Sequence, residues 1–543
     1  MAQSLTRRDF LKGAGAAALA GLGAGLGLSG CAQPAQVVRI LWMNDSHGHL
    51  RPIYHREGYD ESFLTEHGLK SGSVEAYLSA NADFANLAAQ YGRVGGYAHL
   101  ATLIKQERAA QPDRTILLDA GDAWYGSAIA LLTEGKALVT VMNAIGYDAM
   151  TLHWELNLGK ETLLARIAEA KFPVLAQNLV DTDFEDRVLP ASLVKDFGDV
   201  KVGIVGQAYP FSLLTTENRE ANPGWRMGYR EDKLQEEIDR VRSDEGAGVV
   251  VVLSHMGYEQ DKVMAGMLSG IDVIVGGHTH DILWQPEIVG KTLIVQAGSH
   301  GKFLGELDLE IRNGKVDGYQ HKLIPVLADG VEPDPAIDSL IADLYRPFDD
   351  TLQKLVGETS SVLYRRSLFG GTTDAFMVNA YREIAGTDLG CAPGWRFGVT
   401  LLPGPMTVED VYNAMKPTTS PLYTASLSGR QIRAALEDNL DNVFNTDPLQ
   451  RLGGDVLRCG GIHAELRRSS PREERIVSLA VNGARLEDDR HYLVATSGGR
   501  TQYMDEQASA SAQPAVEELI NFIGQNSPIV SESPVQAFVD VQQ

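Results

Sequence analysis

Two hydrophobic patterns alternate along the first three fifths of the chain. Short runs rich in β-branched residues are typical of buried strands, whereas longer stretches with apolar residues at helical spacing predict amphipathic helices. The predicted strands are Val37–Trp42, Thr115–Leu118, Val200–Val205, Gly248–Leu253, Asp272–Val275 and Thr292–Val295. The predicted helices are Tyr97–Arg108, Lys136–Ile145, Lys160–Ala170 and Glu231–Arg242. Strands that alternate with helices indicate a layered α/β domain, which we place at residues 37–326.

A helical linker and a second domain are predicted to follow. Asp334 precedes Pro335, an N-cap and first-turn combination, and predicts a helix that runs to about Leu355. We therefore assign residues 327–355 to a linker. The pattern from Val356 onward predicts a second, α+β domain over residues 356–543.

The N-terminus has the pattern of an export signal. Arg7 and Arg8 precede Phe10-Leu11-Lys12, and residues 13–30 are apolar and uncharged but too weakly hydrophobic for a stable membrane span. We predict that residues 1–31 are a twin-arginine signal that directs the protein to the periplasm; the alternative is a disordered basic terminus. Leu28-Ser29-Gly30-Cys31 also matches a lipoprotein cleavage box, so Cys31 is a candidate lipid anchor unless plain cleavage occurs nearby.

Charge and cysteine content exclude some classes of protein. The 543 residues contain 48 Lys and Arg against 71 Asp and Glu, a net charge of −23 that disfavours nucleic-acid binding. Three cysteines are too few for a disulfide framework. Cys391 and Cys459 could pair in an oxidising compartment, but their spacing does not decide it.

Polar clusters follow the predicted strands and contain candidate metal ligands. Ligands bind in the crevice beyond the carboxyl ends of the strands in α/β sheets, and imidazole with carboxylate suits first-row divalent cations. The candidates are Asp45, His47, Asp122, His153, His255, His278 and His280. We predict a site with Asp45, His47 and His280, a second with His153, His255 and His278, and Asp122 as the bridge. A single histidine after a strand is more often structural, and His49 and His300 remain ambiguous.

Four motifs resemble a known family, the calcineurin-like metallophosphoesterases of the 5′-nucleotidase group. They are Asn44-Asp45-x-His47, Gly121-Asp122-x-x-x-Gly126-Ser127, Ser254-His255-x-Gly257 and Gly276-Gly277-His278-x-His280. The resemblance implies an N-terminal metallophosphoesterase sandwich domain and a C-terminal α+β domain of 5′-nucleotidase type. One motif departs from the group, which has Gly-Asn-His-Glu where this chain has His153-Trp154-Glu155. Trp154 thus stands in place of the group's catalytic histidine.

The His-Trp-Glu motif is similar to that of the SoxB-type thiosulfohydrolases of bacterial sulfur oxidation. Residues 393–398, 401–404 and 453–458 also agree with that type. The resemblance implies release of sulfate from the cysteine S-thiosulfonate of a Sox-type sulfur carrier protein, which presents the cysteine on a flexible arm. It also implies two divalent cations, Mn²⁺ above zinc or iron, with a metal-bridging hydroxide as the nucleophile.

Further residues are candidates for substrate binding or support. Trp154 would line the route of the peptide arm or pack in the core, and Arg396 would bind the sulfonate or form an interdomain salt bridge. We expect Glu155 to orient a ligand imidazole, and Asp455 with Arg458 to form an internal ion pair.

Two other functions remain open. One is a periplasmic 5′-nucleotidase or cyclic-nucleotide phosphodiesterase that works without the His–Asp dyad. It would need paired aromatic residues in the second domain, where the sequence offers no convincing pair. The other is a non-enzymatic metal-loaded binding module.

Overall fold

The computed structural model describes residues 36–415, 418–498, 508–534 and 537–541. The predicted signal segment 1–31, including Cys31, lies outside the described residues. Within the described ranges, no helix is both long and apolar enough to cross a membrane.

Two sheets face each other in the N-terminal domain. The first has the spatial order Lys315–Pro325, Phe303–Arg312, Gln36–Met43, Thr115–Asp119 and Ala149–Met150. The second has the order Glu287–Val289, Thr292–Val295, Val273–Val275, Val249–Ser254, Lys201–Gln207 and Ser192–Asp196. A small sheet pairs Leu179–Asp181 with Trp225–Met227. The predicted sandwich is confirmed.

The alternation of side chains along each strand builds the layers. Val38, Ile40 and Trp42 point between the sheets and share one core with Val202 and Val249 of the second sheet. Their neighbours Leu41 and Met43 point the other way, into a core formed with helices. The helices of this domain are Glu61–Glu66, Val74–Ser79, Phe84–Tyr91, Tyr97–Ala110, Ala128–Leu132, Lys136–Ile145, Lys160–Glu169, Thr216–Ala221, Glu231–Ser243 and Tyr258–Met267, with a 3₁₀ helix at Trp154–Leu158.

Parallel pairing brings the carboxyl ends of strands together. In the first sheet Met43 pairs with Asp119, and Asp119 pairs with Met150. In the second sheet Gln207 pairs with Ser254, and Leu253 with Val275. The loops after these strands therefore start at the same edge of the domain, where ligands bind in α/β sheets.

The linker differs from the prediction. The helix begins at Pro335, capped by Asp334, but it ends at Tyr345 and not near Leu355. Pro347 explains the end, because proline has no N–H group to donate to the carbonyl oxygen of Asp343 one turn earlier. A short helix, Asp349–Leu352, follows, and Leu355–Thr359 is a strand.

The C-terminal domain is α+β, which confirms the predicted fold class. Its larger sheet has the order Asp455–Gly460, Leu389–Gly394, His491–Thr496, Pro421–Ser428 and Ser509–Pro514. The smaller sheet has the order Ala484–Arg485, Ile476–Val481, Ile462–Leu466 and Phe538–Asp540, and Leu355–Thr359 pairs with Gly404–Thr407. The helices are Thr372–Ala385, Val408–Ala414, Gly429–Phe444 and Ala515–Asn526, with a 3₁₀ helix at Pro448–Gln450.

Gly305 lets two strands approach around a buried indole, and its replacement tests the sandwich core. Gly305 pairs with Trp42, which is fully buried, and a Cβ at position 305 would overlap the Trp42 ring. We expect Gly305→Ala to lower the free energy of unfolding by about 1–3 kcal/mol through overpacking. Gly228 has open space at its Cβ position, so Gly228→Ala should change it by less than about 0.5 kcal/mol. Equal thermal midpoints for the two variants would contradict this account of the core.

Candidate metal centre

All seven predicted ligands lie at the common edge formed by the strand ends, and all are buried. Five of them have a positive φ, a region that costs non-glycine residues free energy and is enriched at functional sites: Asp45 (52°), His47 (48°), Asp122 (58°), His278 (74°) and His280 (62°). The loops therefore hold strained backbone in order to present these side chains.

One group of ligands comprises Asp45, His47 and His280. The Nε2 atoms of His47 and His280 are 3.0 Å apart, and Asp45 Oδ1 is 3.3 Å from His280 Nε2. Two imidazole nitrogens that face each other this closely are suited to share a cation.

The second group comprises His153, His255 and His278. His153 Nδ1 lies 3.1 Å from His255 Nε2, and Asp122 Oδ2 lies 3.2 and 3.3 Å from these two nitrogens. Asp45, Asp122 and His255 form a third convergent set between the two groups. The structure thus brings the candidates together in the predicted grouping, and the bridging role of Asp122 stays a prediction.

The chemistry of the donor set fits two divalent cations. Burial lowers the pKa of His47, His153 and His278, which favours the neutral imidazole that binds metal. His278 Nε2 is buried without a hydrogen-bond partner among the described residues. At His255 burial acts in the same direction, but Asp122 and Asp45 outweigh it and raise the pKa to about 10, so a cation would displace a proton there.

Trp154 forms an aromatic wall beside the ligands. Its backbone N–H donates to Asp122 Oδ1 at 2.8 Å. Its indole meets Phe397 and Trp395 of the second domain edge-to-face, with ring centroids 4.8 and 5.3 Å away. Tyr125 contacts the same ring at 5.7 Å. The aromatic partners in the second domain were missed from the sequence, because only the docking of the domains brings them to Trp154.

Arg396 contacts the loop that carries His278 and His280, which we call the metal loop. Its Nη2 donates to the carbonyl oxygen of His278 at 2.9 Å, while Nη1 is 4.0 Å from Asp455 Oδ1. Arg396 therefore supports a ligand backbone in addition to lining the cleft. Asp455 and Arg458 form an ion pair at 3.3 Å, and the Arg458 side chain is fully buried.

Glu155 acts on the backbone and not on an imidazole, contrary to the prediction. Its carboxylate accepts hydrogen bonds from the backbone N–H groups of His153 (2.8 Å), Ala123 (2.7 Å) and Trp124 (3.2 Å). The side chain is fully buried, and burial raises its pKa. Glu155 ties the loop after Asp122 to the loop that carries His153.

Arg366 was also missed from the sequence, since it lies in none of the motifs. Its Nη2 donates to the carbonyl oxygen of Thr279 at 3.2 Å, and its Nε lies 3.4 Å from Glu57 Oε2. Glu57 is fully buried and also pairs with Lys302. Arg366 and Arg396, both from the second domain, thus bind successive carbonyls of the loop that contains His278 and His280.

Three further histidines pack behind His47. His300 stacks on His55 with ring centroids 3.9 Å apart, and lies 5.4 Å from both His49 and His47. In the sequence, His49 lies in the polar cluster after the first predicted strand and His300 follows Thr292–Val295, so both were ambiguous, whereas His55 had no such context. None belongs to a convergent ligand group among the described residues.

A cleft of about 670 Å³ opens over the metal ligands between the two domains. The N-terminal domain contributes His47, Asp122, His153, Trp154, His278 and His280 to its wall. The C-terminal domain contributes Trp395, Arg396, Phe397, Gly453 and the pair Cys391 and Cys459. The two groups of candidate metal ligands therefore lie at the floor of a cleft lined by both domains, the kind of place where ligands bind.

The chain belongs to the 5′-nucleotidase family. Residues 356–509 match the family model for the 5′-nucleotidase C-terminal domain. Rat 5′-nucleotidase is 30% identical over 439 residues, which cover 72% of either chain. The trifunctional nucleotide phosphoesterase YfkN of Bacillus subtilis is 26% identical over 443 residues, and the match spans 72% of this chain but about 30% of that longer protein.

Solved structures resemble nearly the whole described fold. The sulfate thiohydrolase SoxB of Thermus thermophilus superposes with a TM-score of 0.88 at 31% sequence identity, covering 93% of this chain and 97% of that one. The N-terminal and C-terminal domains therefore share the arrangement found in that protein.

Replacing His153 tests the ligand grouping. We expect His153→Ala to remove one ligand of the second group and reduce bound metal toward one tight ion per chain, measured by elemental analysis after dialysis. His463→Ala serves as a matched control, because His463 is exposed and lies outside every ligand group. Two tight ions retained in His153→Ala would show that the assignment of ligands is wrong.

Replacing Arg366 tests the contribution of the second domain to the metal loop. We expect Arg366→Gln to weaken Mn²⁺ binding about 10–100-fold, because loss of an outer hydrogen bond lets the strained loop relax. The measurement is equilibrium dialysis with Mn²⁺. Arg56→Gln is the control, since Arg56 stacks on Tyr364 at 3.9 Å across the domains without touching the metal loop. Equal affinities in the two variants would contradict a specific role for Arg366.

Proposed function

We propose that this hydrolase cleaves the terminal sulfonate from a carrier-protein cysteine S-thiosulfonate and releases sulfate. The observation that carries the proposal is Trp154, which occupies the position of the family's catalytic histidine and is enclosed by Trp395 and Phe397. The likeness to SoxB at 31% identity over nearly the whole described chain supports the same assignment.

The leaving group explains why an indole is acceptable at position 154. A nucleotide ester leaves as an alkoxide and needs a proton donor, which typically contributes 10²–10⁴-fold to the rate. A persulfide is a much weaker base and leaves with less help. The four histidines of the described cleft wall, His47, His153, His278 and His280, are all predicted metal ligands, so no imidazole remains there to protonate an alkoxide.

Arg396 is suited to bind the sulfonate. It lines the cleft next to His278, and its Nη1 is beyond hydrogen-bond distance of Asp455. N–H groups of its guanidinium are therefore available to donate hydrogen bonds to the sulfonate. The planar guanidinium can donate two parallel hydrogen bonds to a pair of sulfonate oxygens. We assign substrate positioning to Arg396 and Trp154.

Two divalent cations, which we propose to be Mn²⁺, would supply an activated water nucleophile and neutralise charge that develops on the sulfonate oxygens. Asp45, His47, Asp122, His153, His255, His278 and His280 would hold them. Glu155 contributes by fixing the two loops that carry Asp122 and His153.

The proposed partner is a Sox-type sulfur carrier protein, not a nucleic acid, because the chain is strongly acidic. A protein carrier docks through its own surface, which offsets the repulsion between a net charge of −23 and an anionic group. We propose that the enzyme acts in the periplasm, after export by the twin-arginine route, and that Cys31 is its lipid attachment site.

A 5′-nucleotidase or cyclic-nucleotide phosphodiesterase activity is less well supported. A base sandwiched between two aromatic rings needs about 7 Å between their planes, twice a van der Waals contact. Trp395 and Phe397 are stacked on each other, with centroids 5.4 Å apart and planes inclined by 27°. This aromatic pair therefore leaves no slot for a base in the described arrangement.

The test compares two reactions in Trp154 variants. We expect the Mn²⁺-loaded protein to release sulfate from carrier-bound thiosulfonate and to hydrolyse 5′-nucleotides poorly. Trp154→Phe should retain sulfate release within about 10-fold, since it keeps the apolar wall. Trp154→His should raise nucleotide hydrolysis about 10-fold or more by restoring a proton donor. Robust nucleotide turnover by the unaltered protein, with no release of sulfate, would overturn the proposed function.

A further inference from the structure

The cleft wall contains a pair of adjacent thiols. Cys391 and Cys459 face each other on neighbouring antiparallel strands, in direct register. Their Sγ atoms are 3.3 Å apart, and both residues line the cleft that contains the metal ligands. Cys391 is partly exposed, whereas Cys459 is 2% exposed.

This geometry is compatible with disulfide formation without movement of the strands. Directly opposed residues of antiparallel strands have Cα atoms about 4.5–5.5 Å apart, which overlaps the range of disulfide bonds. The sulfur atoms need to approach by about 1 Å to reach bonding distance. The two thiols therefore differ in access but are already matched in position.

We propose that Cys391 and Cys459 are a self-clearing thiol site for sulfur electrophiles that enter the cleft, such as thiosulfonates, polythionates and disulfides. Cys391, the accessible member, attacks a sulfur of the ligand, and Cys459 resolves the adduct. The site is separate from the proposed hydrolysis and does not depend on it.

With tetrathionate as the oxidant, the thiol pair is oxidised in two steps. The Cys391 thiolate attacks an inner sulfur of tetrathionate, breaks the central S–S bond and expels thiosulfate, which leaves an S–SO₃⁻ group on Cys391. Cys459 loses its proton and attacks Cys391 Sγ, and a second thiosulfate leaves. The thiol pair is oxidised by two electrons to a disulfide, and tetrathionate is reduced to two thiosulfates.

The second thiol keeps the cleft open. An adduct on a lone Cys391 would place an anionic S–SO₃⁻ group in the wall of the cleft, whereas the disulfide adds no atoms. The hydrogen bond with Cys391, together with burial, raises the pKa of Cys459, in keeping with Cys391 as the attacking sulfur. Cys459 reacts only with the neighbour that is already in contact with it.

The experiment treats the folded, full chain with tetrathionate, using Cys31→Ser in every sample so that the pair are the only thiols. We expect the Cys391/Cys459 protein to lose two hydrogens by intact mass, release two thiosulfates per chain and keep its hydrolytic rate. Cys459→Ser should release one thiosulfate, retain a covalent sulfur adduct on Cys391 (S–SO₃⁻, or a persulfide where the metal centre hydrolyses the sulfonate to sulfate) and lose at least about half of its activity. Cys391→Ser should remain unmodified, because Cys459 is buried.

Mass and thiosulfate stoichiometry are read without reference to catalysis, so a failure of the proposed function leaves this test intact. A stable adduct on the two-thiol protein would overturn the proposal, as would modification of Cys391→Ser at the rate of Cys459→Ser. Absence of any reaction in the two-thiol protein would overturn it as well.

Discussion

The structure depends on one buried cluster of charged and polar side chains, which needs cations to offset the cost of its burial. Two carboxylates and five imidazoles from loops far apart in the chain meet at one edge of the sandwich, away from water. Charges and unpaired nitrogens in such a place are costly unless cations bind them. Parallel strand pairing brings the loops together at one edge, and the positive φ angles of His278 and His280 orient their side chains toward the cluster.

The second domain completes this site in two ways. Arg366 and Arg396 bind the carbonyls of Thr279 and His278, so the C-terminal domain contributes to the shape of a loop that belongs to the N-terminal domain. Trp395 and Phe397 close around Trp154 and replace a polar proton-donor position by an apolar wall. The proposed function rests on this apolar wall, because a leaving group beside it would find no proton donor.

Local patterns predicted much of the fold and the convergence of the seven candidate ligands. Lys136–Ile145 and Thr292–Val295 have their predicted bounds, because each lies between clear turn or cap residues. The ligands could be predicted because each follows a strand or a short segment that ends at the same edge. The linker helix was predicted too long, since the hydrophobic pattern continues past Pro347 although proline ends the helix.

Contacts that arise only from tertiary packing could not be predicted from the sequence. Arg366 lies outside every motif. It can bind the Thr279 carbonyl and pair with Glu57 only once the two domains have docked. Glu155 was expected to contact an imidazole, but the 3₁₀ turn at Trp154–Leu158 directs its carboxylate to backbone N–H groups. The sequence spacing of Cys391 and Cys459 did not predict that they lie opposite each other, because that depends on the register of the two paired strands.

The most direct measurement is anomalous X-ray diffraction from crystals of the Mn²⁺-loaded protein at the manganese edge. We predict two peaks about 3.5–4 Å apart, one within the Asp45, His47 and His280 group and one within the His153, His255 and His278 group. A single peak, or peaks away from these side chains, would contradict it.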